Sequence, residues 1–334
     1  MKKLLLLVGI SLIMSCQNSI ENKRIDGSAF GTYYSIIYSG SLDQDKTITA
    51  MDSIITAFNN SVSTYHPHSI ISRINQGDSS VVVDTIFKHT FLMSKEIHKK
   101  TNGYFDPTIG VLRNAYGFGD TQPIQHIDES SLDSLMQMVG FDKVSLQEDG
   151  TIHKTHPNTY IDFNAIAKGY GVDEFARYLD SQGVSNYLIE IGGEMVARGI
   201  NREKNNPWMV GIENINSELE DRTYHQIIPL QNVGLAASGN YRKFRIDEET
   251  GDKYVHTIDP LTGSAEQSDL TSATVLARTC AEADAYATAF MALGIEKSKE
   301  LLKELEGVEA YFTYISEDDH KDYATPAMKL LFQE

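Results

Sequence analysis

The sequence predicts an α+β fold of mixed, largely antiparallel sheets with packed helices. Helical and strand-like segments follow one another without the strict β–α alternation that builds a parallel, doubly wound sheet. Strand-like segments also return on themselves through short glycine turns, as Tyr187–Ile191 does through Gly192-Gly193 into Met195–Arg198. No internal repeat, low-complexity run or linker divides residues 29–334, which read as one folding unit with two lobes.

The elements follow in order. Gly31–Tyr38 alternates small or polar with apolar residues and reads as a strand. Ile48, Met51, Ile55 and Phe58 share one helical face. A second helix covers Ile86–His98, with Lys99 and Lys100 in its last turn and Asn102-Gly103 to stop it. Leu132, Leu135, Met136 and Val139 mark a third, ended by Gly140. Thr159–Phe163 reads as a strand; Val172, Phe175, Ala176 and Leu179 mark a helix closed by Gly183. Further strands are expected at Val210–Glu213 and Gln226–Leu230, and a polar hairpin around Gly251 joins Phe244–Ile246 to Tyr254–Ile258. Ala283, Ala287, Phe290, Met291 and Gly294 give a small-residue helix face, Leu301, Leu302 and Leu305 another helix, and Val308–Ile315 a late strand.

The N-terminus is a targeting signal. Lys2 and Lys3 precede an apolar run, Leu4–Met14, that is shorter than the roughly 20 residues needed to span a bilayer. The run ends Ile13-Met14-Ser15-Cys16, which resembles a bacterial lipobox and makes Cys16 the expected lipidated N-terminus after removal of residues 1–15. An ordinary signal with an accidental Cys is the plain alternative. Residues 16–28 are polar and read as a tether, so the protein is expected to be exported and anchored to a bacterial membrane, facing the periplasm or cell exterior.

Beyond Cys16 only Cys280 remains, which excludes an internal disulfide framework and reads as a buried small residue. The formal net charge is -17 and becomes more negative once Lys2 and Lys3 leave. A general nucleic-acid-binding surface is excluded on that balance, and any phosphate must be met locally by a metal, a few cations or backbone N–H groups. The sequence holds no G-x-G-x-x-G, P-loop, H-E-x-x-H, C-x-x-C or G-x-S-x-G.

Five stretches can carry chemistry. Asp284 and Thr288 fall one turn apart on a helix face among alanines, and their carboxylate and hydroxyl suit Mg²⁺ better than a softer metal; an ordinary solvated face is the alternative. Asp162–Gly169 joins a strand to a helix and places Lys168 in the first turn, where a cation opposes the helix dipole unless a phosphate justifies it; a surface lysine is the alternative. His256 ends a strand before the turn Pro260–Gly263 and offers a general base, against the commoner structural histidine. Gly103–Thr108 offers Tyr104 and Phe105 to stack on a flat ring and Asp106 for a ribose or ring nitrogen, or is simply an Asp-Pro turn with buried aromatics. His66 and His68 flank a proline and read as loop residues.

Together and in this order, Gly31-Thr32, Tyr65, Gly103–Pro107, Asp162–Gly169, Glu190–Glu194, Ala237–Gly239, His256–Gly263 and Asp284–Thr288 resemble the ApbE family of FAD:protein FMN transferases. The resemblance implies a two-lobed, T-fold-like domain and bound Mg²⁺, whose ligands here are the Ala165 carbonyl and the Asp284 and Thr288 side chains. It implies FAD contacts from Tyr65, Tyr104, Phe105, Asp106, Asp162, Lys168 and Ile258, with His256 as catalytic base and Lys168 neutralising charge on the diphosphate. Phe30 stands where the family usually has Met, still an apolar wall for the flavin or adenine, and Asn164-Ala165 replaces Gly-Gly. The implied reaction moves FMN from FAD to a Thr or Ser hydroxyl of a target flavoprotein, forming a phosphoester and releasing AMP. The implied acceptor is a subunit of a membrane redox complex, such as a sodium-pumping quinone reductase. Two alternatives keep the site and change the outcome: hydrolysis of FAD to FMN and AMP, or a lipoprotein that binds FAD without turnover.

Overall fold

The computed structural model describes residues 21–124, 126–214, 223–240, 244–246, 251, 253–317 and 319–333. The leader, Cys16 and residues 17–20 of the expected tether lie outside the described residues. The described chain begins with β1 (Lys23–Ala29), β2 (Thr32–Tyr38), α1 (Gln44–Val62), α2 (Ile70–Asn75), α3 (Thr85–Lys100), α4 (Gly110–Ala115), α5 (Glu129–Met136), β3 (Val144–Leu146), β4 (Ile152–Lys154) and α6 (Asn164–Ser181). It continues with β5 (Tyr187–Ile191), β6 (Glu194–Arg198), β7 (Trp208–Glu213), β8 (Tyr224–Leu230), β9 (Val233–Gly239), β10 (Phe244–Ile246) and β11 (Lys253–Val255). Last come β12 (Leu270–Ala277), α7 (Cys280–Leu293), α8 (Ile295–Leu302), β13 (Glu309–Ser316), β14 (Asp319–Ala324) and α9 (Pro326–Lys329).

Eight strands form one sheet in the order β1-β2-β5-β6-β9-β12-β13-β14, every neighbouring pair antiparallel. One face carries α1, α3, α6 and α7 over the largest apolar clusters. The other is covered by the β7–β8 hairpin and α9 through Trp208, Ile228, Leu230 and Met328. A separate small core around Leu112, Tyr116, Val139, Ile258 and Ala265 makes the second lobe. Among the described residues no helix is long and apolar enough to cross a membrane.

Two expectations are corrected. Residues 23–28 belong to β1, not to a tether, because Ile25 and Ala29 bury themselves while the polar residues between them face out from an edge strand. Thr159–Phe163 is not a strand: only Tyr160 bridges, to Ile109. Its backbone groups are satisfied elsewhere, since Ile161 exchanges hydrogen bonds of 2.8 Å with the Asn75 side chain and Asp162 N–H donates to the Pro107 carbonyl at 2.7 Å.

The β1–β2 turn is the two residues Phe30 and Gly31, both at positive φ (52° and 77°), as a tight hairpin of this hand requires. Phe30 holds this unusual conformation for a side chain by packing on Phe58 at 4.7 Å and over Gly171, where an added Cβ would meet its ring at 2.4 Å.

α6 and α7 meet backbone to backbone at Gly169. A Cβ on Gly169 would lie 2.4 Å from the Cys280 carbonyl oxygen and 2.8 Å from Ala281 Cα. Alanines 281, 283, 285, 287 and 289 of α7 are all buried. The start of α7 is capped by Thr279 with Glu282 and by Asp173 of α6, whose carboxylate accepts from Cys280 N–H at 3.0 Å and Ala281 N–H at 2.9 Å. Gly169→Ala is therefore expected to cost about 1–3 kcal/mol through overpacking, read as a lower urea midpoint at unchanged m-value. An unchanged midpoint would show that the helices part without penalty.

Candidate active site

The crossing of α6 with α7, the far ends of β9 and β12 and the small second lobe enclose a cavity of about 410 Å³. Asp284, Thr288, Ala165, Lys168, Asp162, Tyr104, Phe105, Asp106, His256 and Ile258 all line it. Residues far apart in sequence thus converge on one space. Phe30 and Tyr65 are not among its lining residues. Phe30 is turned into the core by the hairpin described above, so it is not the apolar wall expected from its position. Tyr65 is 62% exposed and bears on the site indirectly, through its electrostatic influence on Arg113.

The electrostatic centre is a cluster of half-buried Lys168 with buried Glu194 and Asp284. Lys168 Nζ meets Glu194 Oε2 at 2.5 Å, and Asp284 Oδ2 accepts from the Gly169 N–H at 3.0 Å. Burial pushes the Asp284 carboxyl up to about 8; Glu194 adds to this and Lys168 opposes it. Burial likewise raises Glu194 against the pull of Lys168. Burial disfavours the Lys168 ammonium, but Glu194 and then Asp284 more than offset it, so its pKa is raised and the cation persists. Lys168 is the fifth residue of α6, in its second turn rather than its first. Its charge is balanced by Glu194 and does not act against the helix end.

Asp284 and Thr288 project from α7 on the same side, as their spacing predicts, and Thr288 Oγ1 lies 3.4 Å from Ser238 Oγ of β9. With the Ala165 carbonyl these are hard oxygen donors facing one cavity. Among the described residues no group of three His, Cys, Asp or Glu is placed to hold a metal. A site built on one carboxylate, a hydroxyl and a carbonyl therefore suits a small, oxygen-seeking cation. The raised Asp284 carboxyl points the same way, because a buried carboxylate beside a second one is relieved by a cation.

The opposite wall is held by ion pairing. Asp162 pairs with Arg113 and accepts from Asn164 N–H at 2.7 Å. Arg113 also donates to the Phe118 carbonyl at 2.9 Å, and although burial works against its charge, Asp162 and then Tyr65 hold its pKa up. Asp106 has both oxygens engaged: Oδ1 accepts from Thr108 N–H at 2.7 Å and its hydroxyl at 2.6 Å, Oδ2 from Phe141 N–H at 3.0 Å. It latches the Gly103–Thr108 loop, which differs from the free ribose ligand the loop's composition suggested. Tyr104 at the mouth accepts from Lys297 Nζ at 2.5 Å. His256 follows directly on β11, half-buried, with Phe118 6.5 Å away edge-on.

Arg113, Glu194 and Glu213 are the charged groups lining the cavity that sequence reasoning did not assign. Glu194 had a signal, since it follows a Gly-Gly turn between two strands inside a matched stretch. Arg113 had none: in Val111-Leu112-Arg113-Asn114 nothing marks an arginine whose side chain is only 16% exposed.

Comparison with known proteins identifies the family of the chain. Residues 30–312 match the model of the ApbE family. A Vibrio cholerae protein named FAD:protein FMN transferase is 33% identical over 333 residues, covering 98% of this chain and 97% of its own. A Haemophilus influenzae protein of the same name is 34% identical over 316 residues, covering 90% of each. The solved structure of the flavin transferase ApbE from Vibrio cholerae superposes with a TM-score of 0.83 at 31% identity, over 93% of this chain and 99% of that one.

Proposed function

The chain belongs to the ApbE family and is an FAD:protein FMN transferase, and from that premise we propose the chemistry its cavity performs. FAD is the donor substrate. A Thr or Ser hydroxyl of the acceptor protein attacks the FMN-side phosphorus, the new P–O bond forms as the bond to the AMP oxygen breaks, and AMP leaves. His256 takes the hydroxyl proton. The Lys168 ammonium, kept charged by Glu194, faces the diphosphate and offsets the negative charge that gathers on the departing AMP. Asp284, Thr288 and the Ala165 carbonyl are the residues that would hold Mg²⁺, which when bound supplies Lewis-acid neutralisation of the phosphates. Asp162, fixed by Arg113, and Tyr104, Phe105 and Ile258 form the walls that orient the nucleotide. In-line displacement needs little covalent help, so placement and charge account for the rate.

The observation that carries this reading is the convergence of Asp284 and Thr288 of α7, Ala165 and Lys168 of α6, and His256 after β11 on one cavity from three separate segments. The proposal extends to location: a lipid at Cys16 anchors the exported enzyme, and the acceptor is a subunit of a membrane redox complex. The test is transfer by a chain lacking residues 1–16, mixed with FAD, Mg²⁺ and a panel of candidate acceptor domains. Acceptor mass increased by one FMN, with AMP released only when Mg²⁺ is present, is the expected result. AMP and free FMN without any shift across the panel would replace the transferase chemistry with hydrolysis, and FAD bound without AMP would leave a binding protein.

A further inference from the structure

The register of the sheet and the position of Cys16 together assign an orientation to the anchored enzyme; this step rests on the lipid anchor proposed above. Six residues, 17–22, separate Cys16 from β1, a reach of at most about 21 Å when fully extended. The point where the tether meets the domain is tied down. Asn22 N–H donates to Glu203 at 3.1 Å, its Nδ2 donates to Asn201 at 2.8 Å, and its Oδ1 accepts from Ser39 at 2.6 Å. Lys23 pairs with Tyr38, Tyr38 with Tyr187 and Tyr187 with Arg198, so these residues mark one end of the sheet.

The cavity is at the other end. Its floor is Ala237–Gly239 of β9 against Ser272 and Thr274 of β12. β9 starts at Val233, paired with Ala197 beside Arg198, and takes six steps to Gly239, a rise of about 20 Å. α7 runs the same way: Cys280 N lies 2.4 Å from a Cβ built on Gly234 at the tether end, while Thr288 and Ala292 reach the cavity. Tyr104 bonds Lys297 just after the end of α7, and Leu261 lies beside Gly103, so both loops stand at this same end. To lay the mouth on the bilayer, the tether would have to run the length of the sheet, which takes nearly its full extension and well over the roughly 13 Å that six flexible residues span on average.

We infer that the anchored enzyme turns its cavity away from the membrane that carries it, with the end around Asn22 and Asn201 nearest the lipid. Its acceptor is consequently a protein that presents its hydroxyl on a domain standing off the bilayer, not on a segment lying in the headgroups. A tether of tens of residues would leave every orientation open; this one does not.

The experiment uses the full acylated chain in vesicles of phosphatidylethanolamine and phosphatidylglycerol that carry a headgroup energy acceptor. A donor dye is attached through Lys204→Cys, at the tether end, or Leu261→Cys, at the mouth; both positions are exposed. Cys280 is fully buried and does not compete for dye, and the Cys16 thiol is consumed by its lipid. Energy transfer several-fold stronger from position 204 than from 261 is expected. Equal transfer, or stronger transfer from 261, overturns the orientation. Flotation with the vesicles and the mass of the N-terminal peptide report the anchor itself: a chain without lipid at Cys16 overturns both anchor and orientation, whereas a lipidated chain with the wrong order of transfer overturns the orientation alone.

Discussion

Asp284→Ala is expected to lower Mg²⁺-dependent FMN transfer by about a hundredfold or more, since a metal's share of transition-state stabilisation is worth several kcal/mol. Asp284 is the only formal charge in the proposed donor set, and initial rates across a Mg²⁺ titration measure its loss. Undiminished transfer would remove the metal assignment. The isosteric Asp284→Asn separates function from stability. The Asp284 carboxyl is raised to about 8, first by burial and then by Glu194. A carboxyl raised on folding binds its proton more tightly in the folded chain. Its contribution is therefore fully present below the unfolded carboxyl pKa and is lost as pH climbs through the folded one. Metal-free wild type should lose stability from about pH 4 to about pH 8, while Asp284→Asn, which keeps an oxygen for the Gly169 N–H, should not share that loss. In melts with chelator the Asn variant should thus be the more stable protein near pH 8 and indistinguishable near pH 4. Mg²⁺ should stabilise the wild type more at the higher pH, where it displaces no proton, and leave the Asn variant unmoved. A wild type no less stable than the variant at high pH would mean that Asp284 is not held under charge strain.

The legible part of this molecule is the part that pattern alone determines. β5 is legible to the residue because a short apolar, β-favouring run is closed by a Gly-Gly turn. α3 and α6 were found through their apolar spacing and the glycine or basic residues at their ends. β9 and β12 were not, although they are central to the sheet and floor the cavity. Leu270–Ala277 reads LTSATVLA, buried on both faces, so it shows no period of two and offers small hydroxyl residues where a strand is usually recognised by bulk. β1 escaped for the opposite reason, since an edge strand with a mostly polar exterior looks like a tether. At the site, the spacing of Asp284 and Thr288 was readable because helix geometry converts four residues into one face. The Lys168–Glu194 pair was not, because it joins a helix to a strand turn 26 positions away and only the folded chain brings them to 2.5 Å. Arg113 and Asp162, 49 residues apart, were hidden in the same way.

His256→Ala is expected to slow transfer by about 10²–10⁴-fold, the range by which a positioned base contributes, while FAD still binds. His256 lines the cavity on the segment that follows β11, away from the Lys168–Glu194–Asp284 cluster in sequence and on the second lobe's side, next to Ile258 of that lobe's core. A group so placed can serve the incoming hydroxyl without being one of the diphosphate's charge partners. Two readouts distinguish a base from a binding residue. FAD affinity, followed by flavin fluorescence, should be unchanged, and added imidazole should restore part of the rate by entering the space the ring vacates. Release of AMP in the absence of acceptor gives the third comparison. If the histidine serves only the protein hydroxyl, hydrolysis by water falls less than transfer does. If it serves whichever nucleophile arrives, both fall together. Loss of FAD binding in the variant, with no rescue by imidazole, would make His256 part of the nucleotide's wall and leave the proton acceptor to be sought elsewhere around the cavity.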